Sequence, residues 1–200
     1  RRAQGPSESP ARRAQGPEVS MLSPASSIVL KAVAGALNEL EGDASLGRRI
    51  RATQELSRLM DSVGNGDVGV ARLCEGRGVP SLLVALMDEC GEERVVTRNT
   101  ILATLARLVF FVDGAELMQD SRLWVLLLRM LYQRDDTSVR HALTVVLRMS
   151  QDDACLRRQL CDSRRLAQLT TQHAASEDPQ IADLAGRIAG NVARAQETTS

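Results

Sequence analysis

From Ser23 onward the apolar residues recur at the three- and four-residue spacing of helices, and no stretch alternates convincingly as a strand. The pattern predicts helices near 24–40, 44–63, 67–76, 79–89, 93–110, 114–120, 122–133, 137–150, 152–162, 164–175 and 179–194. The prolines beyond the first 22 residues, Pro24, Pro80 and Pro179, all fall where a helix begins, which suits a residue that lacks an N–H in the first turn. "GNG" at 64–66 and "GRG" at 76–78 supply stops. Residues 24–40 fit either the first helix of the array or a cap over its first seam.

The order of elements is periodic. "VPSLLVALM" at 79–87 superimposes on "LWVLLLRML" at 123–131, and each leads through a polar loop into a longer helix. The longer helices align as "RATQELSRLM" (51–60), "TILATLARLV" (100–109), "HALTVVLRMS" (141–150) and "LAGRIAGNVA" (184–193). One column reads Ala52, Ile101, Ala142, Ala185. The next reads Leu56, Leu105, Val146, Ala189, and a third reads Leu59, Leu108, Met149, Val192. Three columns spaced by four and three make one helical seam, and the Ala52, Ile101, Ala142, Ala185 column is expected to be buried. Gly186 and Gly190 stand four apart in the last of these helices, each costing about 1 kcal/mol against alanine. Such a cost suggests that another backbone approaches this face closely.

A short helix opening with "GVPSLLVALM", a polar loop, a longer helix with closely spaced small residues such as "LAGRIAGNVA", and a brief helix before the next unit resemble the armadillo repeat. The resemblance covers about 28–194, as four units of about 40 to 50 residues, with the two-helix HEAT repeat as the near alternative. It implies an all-α fold, a right-handed α-solenoid whose long helices line the inner face. The domain reading is a disordered Arg/Pro/Ser tail over 1–22, where "RRAQGP" occurs twice, a helical-repeat domain over 23–195, and a short disordered tail over 196–200.

Composition narrows the function. The chain has 200 residues, 44% hydrophobic but only 2% aromatic, so its core is built from Leu, Val, Ala and Met. Formal net charge is zero, which gives no overall field to recruit nucleic acid or an anionic membrane. All 25 basic residues except Lys31 are arginine, as a GC-biased genome would produce. "LWVLLL" at 123–128 is too short to span a membrane, and no signal sequence opens the chain. The first residue is not Met, consistent with a missing upstream portion. Cys74, Cys90, Cys155 and Cys161 form no CxxC pair, and His141 and His173 lie at no zinc-site spacing, so no metal or cofactor is expected. Reduced structural thiols in a cytoplasmic protein are the expectation.

Candidate chemistry is sparse. "GNGDVG" at 64–69 satisfies the dinucleotide fingerprint, but a helix precedes it and no βαβ unit surrounds it, so it reads as an inter-helix loop. Asp135-Asp136 and Asp152-Asp153 precede helices and read as caps. His141 has no nucleophile motif to serve, and no enzyme activity is expected. Phe110-Phe111 fits an exposed anchor or the packed end of a helix.

One polar column stands out. Arg58, Arg107, Arg148 and Asn191 occupy one position of the four long helices, and Gln54, Ala103, Thr144 and Arg187 occupy the position four earlier. By resemblance to peptide-binding armadillo proteins, the first column carries asparagines that hold a peptide backbone and the second often carries tryptophans. Only Asn191 keeps that pattern, which argues against recognition of basic localisation signals. Arginines at these positions, with Arg187, suit an acidic or phosphorylated segment. Simple solubilisation of the helix surface is the alternative. The expectation is a scaffold or adaptor that binds a protein partner on the concave face, with cytoskeletal or ciliary assemblies a frequent setting for the resembled family. The alternative is an Hsp70 nucleotide-exchange co-chaperone.

Overall fold

The computed structural model describes residues 24–63, 67–91, 94–112, 117, 120–151 and 164–197. Among these residues lie nine α-helices and no strand: α1 (Pro24–Glu41), α2 (Leu46–Val63), α3 (Val68–Gly76), α4 (Val79–Cys90), α5 (Val95–Leu108), α6 (Ser121–Leu131), α7 (Asp136–Met149), α8 (Arg164–Ala174) and α9 (Pro179–Glu197). Each lies within three residues of its predicted bounds. α9 runs through Gln196 and Glu197, which the sequence reading assigned to a tail. The tail over 1–22, the helix at 152–162 and all of the 114–120 helix except Leu117, Asp120 lie outside the described residues.

The helix starts follow from side-chain caps. Asp67 accepts from the Val70 N–H, Asp120 from Arg122, Asp135 from Ser138, and Asp178 from both Gln180 and Ile181. Each cap satisfies amides that the helix leaves free and contributes about 1 kcal/mol. Asp135 thus caps as expected, while Asp152-Asp153 falls outside the described residues. α4 starts after Gly78, whose φ of 57° is left-handed and favours glycine. α5 ends two residues early because the chain tightens there. Phe110 and Phe111 donate to the carbonyls of Arg107 and Leu108, three residues back.

The long helices pack in sequence: α1 against α2, α2 against α5, α5 against α7, and α7 against α9. The other helices form a second layer, with α3 on α1 and α4, α4 on α5 and α6, α6 on α7 and α8, and α8 on α9. α1 therefore sits beside α2 at the start of this row, a placement that suits either a first repeat helix or a cap over the first seam. A continuous core runs through both layers, from Leu37 on α1 through Leu56, Leu83, Leu105, Leu127 and Val146 to Ile188 on α9.

The predicted seam is buried at Ala52, Ile101, Ala142 and Ala185. Its second column is buried at Leu56, Leu105 and Val146, but Ala189 is exposed. α9 packs on α7 and α8, and no further long helix follows it among the described residues to cover that side. The same fact overturns the reading of the glycine pair. No neighbouring atom lies within 4 Å of where a Cβ would sit on Gly186 or Gly190, and both are exposed. The close approach occurs at Gly69 instead, where a Cβ would stand 2.9 Å from Leu30 Cδ2. This third glycine of "GNGDVG" opens a helix that presses on α1.

Candidate functional site

The polar column Arg58, Arg107, Arg148, Asn191 divides into two kinds of residue. Arg107 on α5 reaches back to α2, donating to Ser57 at 3.1 Å and to Asp61 at 2.7 Å. Arg148 on α7 reaches back to α5, its Nε donating to the Val109 carbonyl at 3.1 Å. Asn191 on α9 reaches back to α7, its amide donating to the Ser150 hydroxyl at 2.9 Å while its carbonyl accepts from Arg194. Three successive junctions are thus tied at the same register position, each side chain satisfying a group at the end of the preceding long helix. Val109 is the C-cap of α5, so the Arg148 tie also satisfies a carbonyl at a helix end, whereas Arg107 and Asn191 meet side-chain oxygens.

The opposite ends of the junctions are tied as well. Asn99 on α5 donates to Asp135, the cap of α7, at 2.8 Å. Arg140 on α7 donates to Asp178, the cap of α9, at 2.8 Å. Hydrogen bonds from Ser138 and then Asn99 hold the Asp135 carboxyl below the usual range, against an opposing effect of burial. The Asp178 carboxyl is likewise lowered, chiefly by the Ile181 N–H. The column four earlier adds little charge: Arg187 is exposed and lies 3.6 Å from Asp183 of its own helix.

Arg58 is the exception in its column. Its side chain is 80% exposed, and its nearest carboxylate is Glu55 of its own helix at 3.7 Å. Among the described residues no side-chain hydrogen bond or ion pair joins α1 to α2. A groove of about 800 Å³ opens there instead. Ala32, Gly35 and Ala36 of α1 and Ala52 of α2 give it small-residue walls, and Arg48, Arg51, Arg58, Glu39 and Glu55 line it with charge. A second groove of about 400 Å³ lies between α7 and α9, bordered by Thr144, Arg140, Asp183 and Leu184.

Other candidates settle differently. His141 is half-buried, and desolvation followed by the charges of Arg140 and Arg107 lowers its pKa, with Asp135 opposing. Phe111 is buried at 6% exposure and Phe110 is 48% exposed, so the pair contains both a packed helix end and an exposed ring. Asp67 and Gly69 of "GNGDVG" serve a helix cap and a packing contact, while 64–66 lie outside the described residues. Cys74 and Cys90 are free and buried, and burial pushes the Cys74 thiol up to about 12. Cys155 and Cys161 lie outside the described residues. No group of metal-binding side chains occurs among the described residues, and no helix among them is long and apolar enough to cross a membrane.

The sequence reading found the tied column but missed Arg48, Arg51 and Gly35. "RRIR" at 48–51 carried a usable signal, since its first and last arginines are three apart and share a helix face. Compared with known proteins, the chain matches no family model, and no curated protein is significantly similar to it.

Proposed function

We propose that the chain is a non-catalytic protein-interaction module, a right-handed α-solenoid of about four armadillo-like repeats. In this reading it works as a scaffold or adaptor that holds an acidic or phosphorylated partner segment on the concave face of its long helices. Its setting is the cytoplasm, within a cytoskeletal or ciliary assembly. The observation that carries the reading is the row α1, α2, α5, α7, α9, packed neighbour to neighbour with the other helices behind it. Repeated units stacked in this way make an extended surface suited to a linear ligand. Arg58, Arg107, Arg148, Arg187 and Asn191 form its partner-facing polar set. The ties made by Arg107, Arg148 and Asn191 support a rigid row, while Arg58 and Arg187 offer the more exposed guanidinium groups.

The test is site-specific photo-crosslinking with the full chain. A crosslinker at exposed Gln54 or half-buried Thr144 samples the long-helix face, and one at exposed Val125 samples the second layer. Capture of the same partner from Gln54 and Thr144, lost when Arg58→Glu and Arg187→Glu are combined in a variant of unchanged melting temperature, is the expected result. Capture from Val125 alone overturns the reading.

A further inference from the structure

We propose that the groove between α1 and α2 is the docking site for an extended, carboxylate-rich segment of a partner protein. The proposal rests on the interaction-module reading and assigns it a place. Its starting point is a break in a rule that the other junctions obey. Arg107, Arg148 and Asn191 each hydrogen-bond to the preceding long helix, but the residue of that register on α2, Arg58, turns to solvent and makes no such tie to α1. The α1 wall contributes to the opening because Ala32, Gly35 and Ala36 present almost no side-chain volume. Gly35 is exposed and no atom lies within 4 Å of where its Cβ would sit, so a larger side chain has room there.

Charge decides the occupant. The side chains of Arg48 and Arg51 make no hydrogen bond or ion pair among the described residues, and both residues are exposed. Of the two glutamates in the groove, Glu55 is taken up by Arg58, and Glu39 makes no ion pair. Three guanidinium groups against two carboxylates leave one positive charge in excess. Arg48 to Arg58 spans about 15 Å along α2, the length of roughly five residues of extended chain. Carboxylates on such a segment meet Arg48, Arg51 and Arg58 along the α2 wall, where guanidinium groups bind carboxylate oxygens in pairs. Glu39 on the α1 wall is an acceptor for the segment's backbone N–H groups. Small side chains on the segment fit against Ala32, Gly35 and Ala52. The chain's own first 22 residues are a poor occupant, since they carry four arginines against two glutamates.

The experiment is fluorescence anisotropy of a labelled peptide that alternates glutamate and alanine, titrated with the full chain at two salt concentrations. A glutamine–alanine peptide of the same length is the comparison. The expected result is saturable binding of the glutamate peptide alone, weakened by salt. Arg48→Glu with Arg51→Glu reduces affinity by tenfold or more. Gly35→Leu also reduces it, filling the groove without a backbone clash and without removing a charge, while the helical melting curve is kept. Arg165→Glu, on the exposed surface of α8, leaves affinity unchanged. Equal binding of the two peptides, or full affinity in both groove variants, overturns the proposal. Loss through Arg187→Glu with the groove variants intact overturns the groove but leaves the long-helix face as the partner surface. Sedimentation showing a dimer that Gly35→Leu dissociates gives the groove to a second copy and also overturns the proposal.

Discussion

Replacing Asp135 by alanine removes the acceptor at which three groups from two helices meet. The carboxylate caps α7 through the Ser138 N–H at 3.0 Å, lies 2.6 Å from the Ser138 hydroxyl, and accepts from the Asn99 amide of α5. Loss of the cap costs about 1 kcal/mol. Ser138 is 1% exposed, so a hydroxyl left without its acceptor has no water to turn to. It has a fallback, because Asn99 Oδ1 stands 2.5 Å away, and this keeps the additional cost near the lower end of the 1 to 3 kcal/mol of an unmet buried group. The sum is roughly 2 to 3 kcal/mol, or about 5 to 10 °C in melting temperature for a chain of this size. Urea denaturation followed by far-UV circular dichroism measures it. The pH dependence has a definite sign. The folded carboxyl is held below its ordinary value, so its contribution is full above the unfolded value near 4 and fades as pH falls through the folded value. The gap between wild type and Asp135→Ala must therefore narrow as pH falls below the unfolded value of about 4. A difference under about 0.5 kcal/mol at neutral pH, or a gap independent of pH, refutes this account of the junction.

Gly186→Ala and Gly190→Ala each gain about 0.5 to 1 kcal/mol, because both sites are exposed helix interior with room for a Cβ, and a double variant that melts lower than wild type contradicts the open face. Leu105→Ala, at a fully buried seam position, loses about 2 to 5 kcal/mol in the same urea assay, and a loss under 1 kcal/mol means the seam is not packed there. Cys74, buried with its pKa near 12, resists thiol reagents in the folded state at neutral pH, so its labelling rate rises only as urea opens the core, and rapid labelling without urea overturns its burial.

The fold was legible where its cause is local. The apolar spacing, the prolines and the capping aspartates act within one or two turns, and the helices they mark appear with small shifts at their ends. Burial of Ala52, Ile101, Ala142 and Ala185 was legible for a related reason, since a column repeated in four helices has one seam to face. What failed depends on position in the row. Gly186, Ala189 and Gly190 belong to columns that are buried or crowded in an interior repeat, but α9 has a long-helix neighbour on one side only among the described residues. Gly69 was missed for the opposite reason. Its neighbour is Leu30, nearly forty residues away on a helix whose role the sequence left open.

The polar column shows how such a register position acquires two meanings. A polar side chain in the C-terminal half of a long helix reaches the end of the preceding long helix, whose last polar groups need partners. Arg107, Arg148 and Asn191 are used in that way, and their chemistry differs because Asp61, the Val109 carbonyl and Ser150 differ as acceptors. Repetition of arginine in this column is therefore explained at Arg107 and Arg148 by a repeated packing need. The position that departs from the rule is the informative one. At α2 the tie is absent, the neighbouring wall is built from alanine and glycine, and two further arginine side chains stand without partners among the described residues. Uncompensated charge beside this groove makes no tie between α1 and α2, which are joined through a shared core that includes Leu37, Leu40 and Leu56. A charge that does not serve the fold is available for a ligand, which is why the junction lacking the structural tie carries the binding proposal.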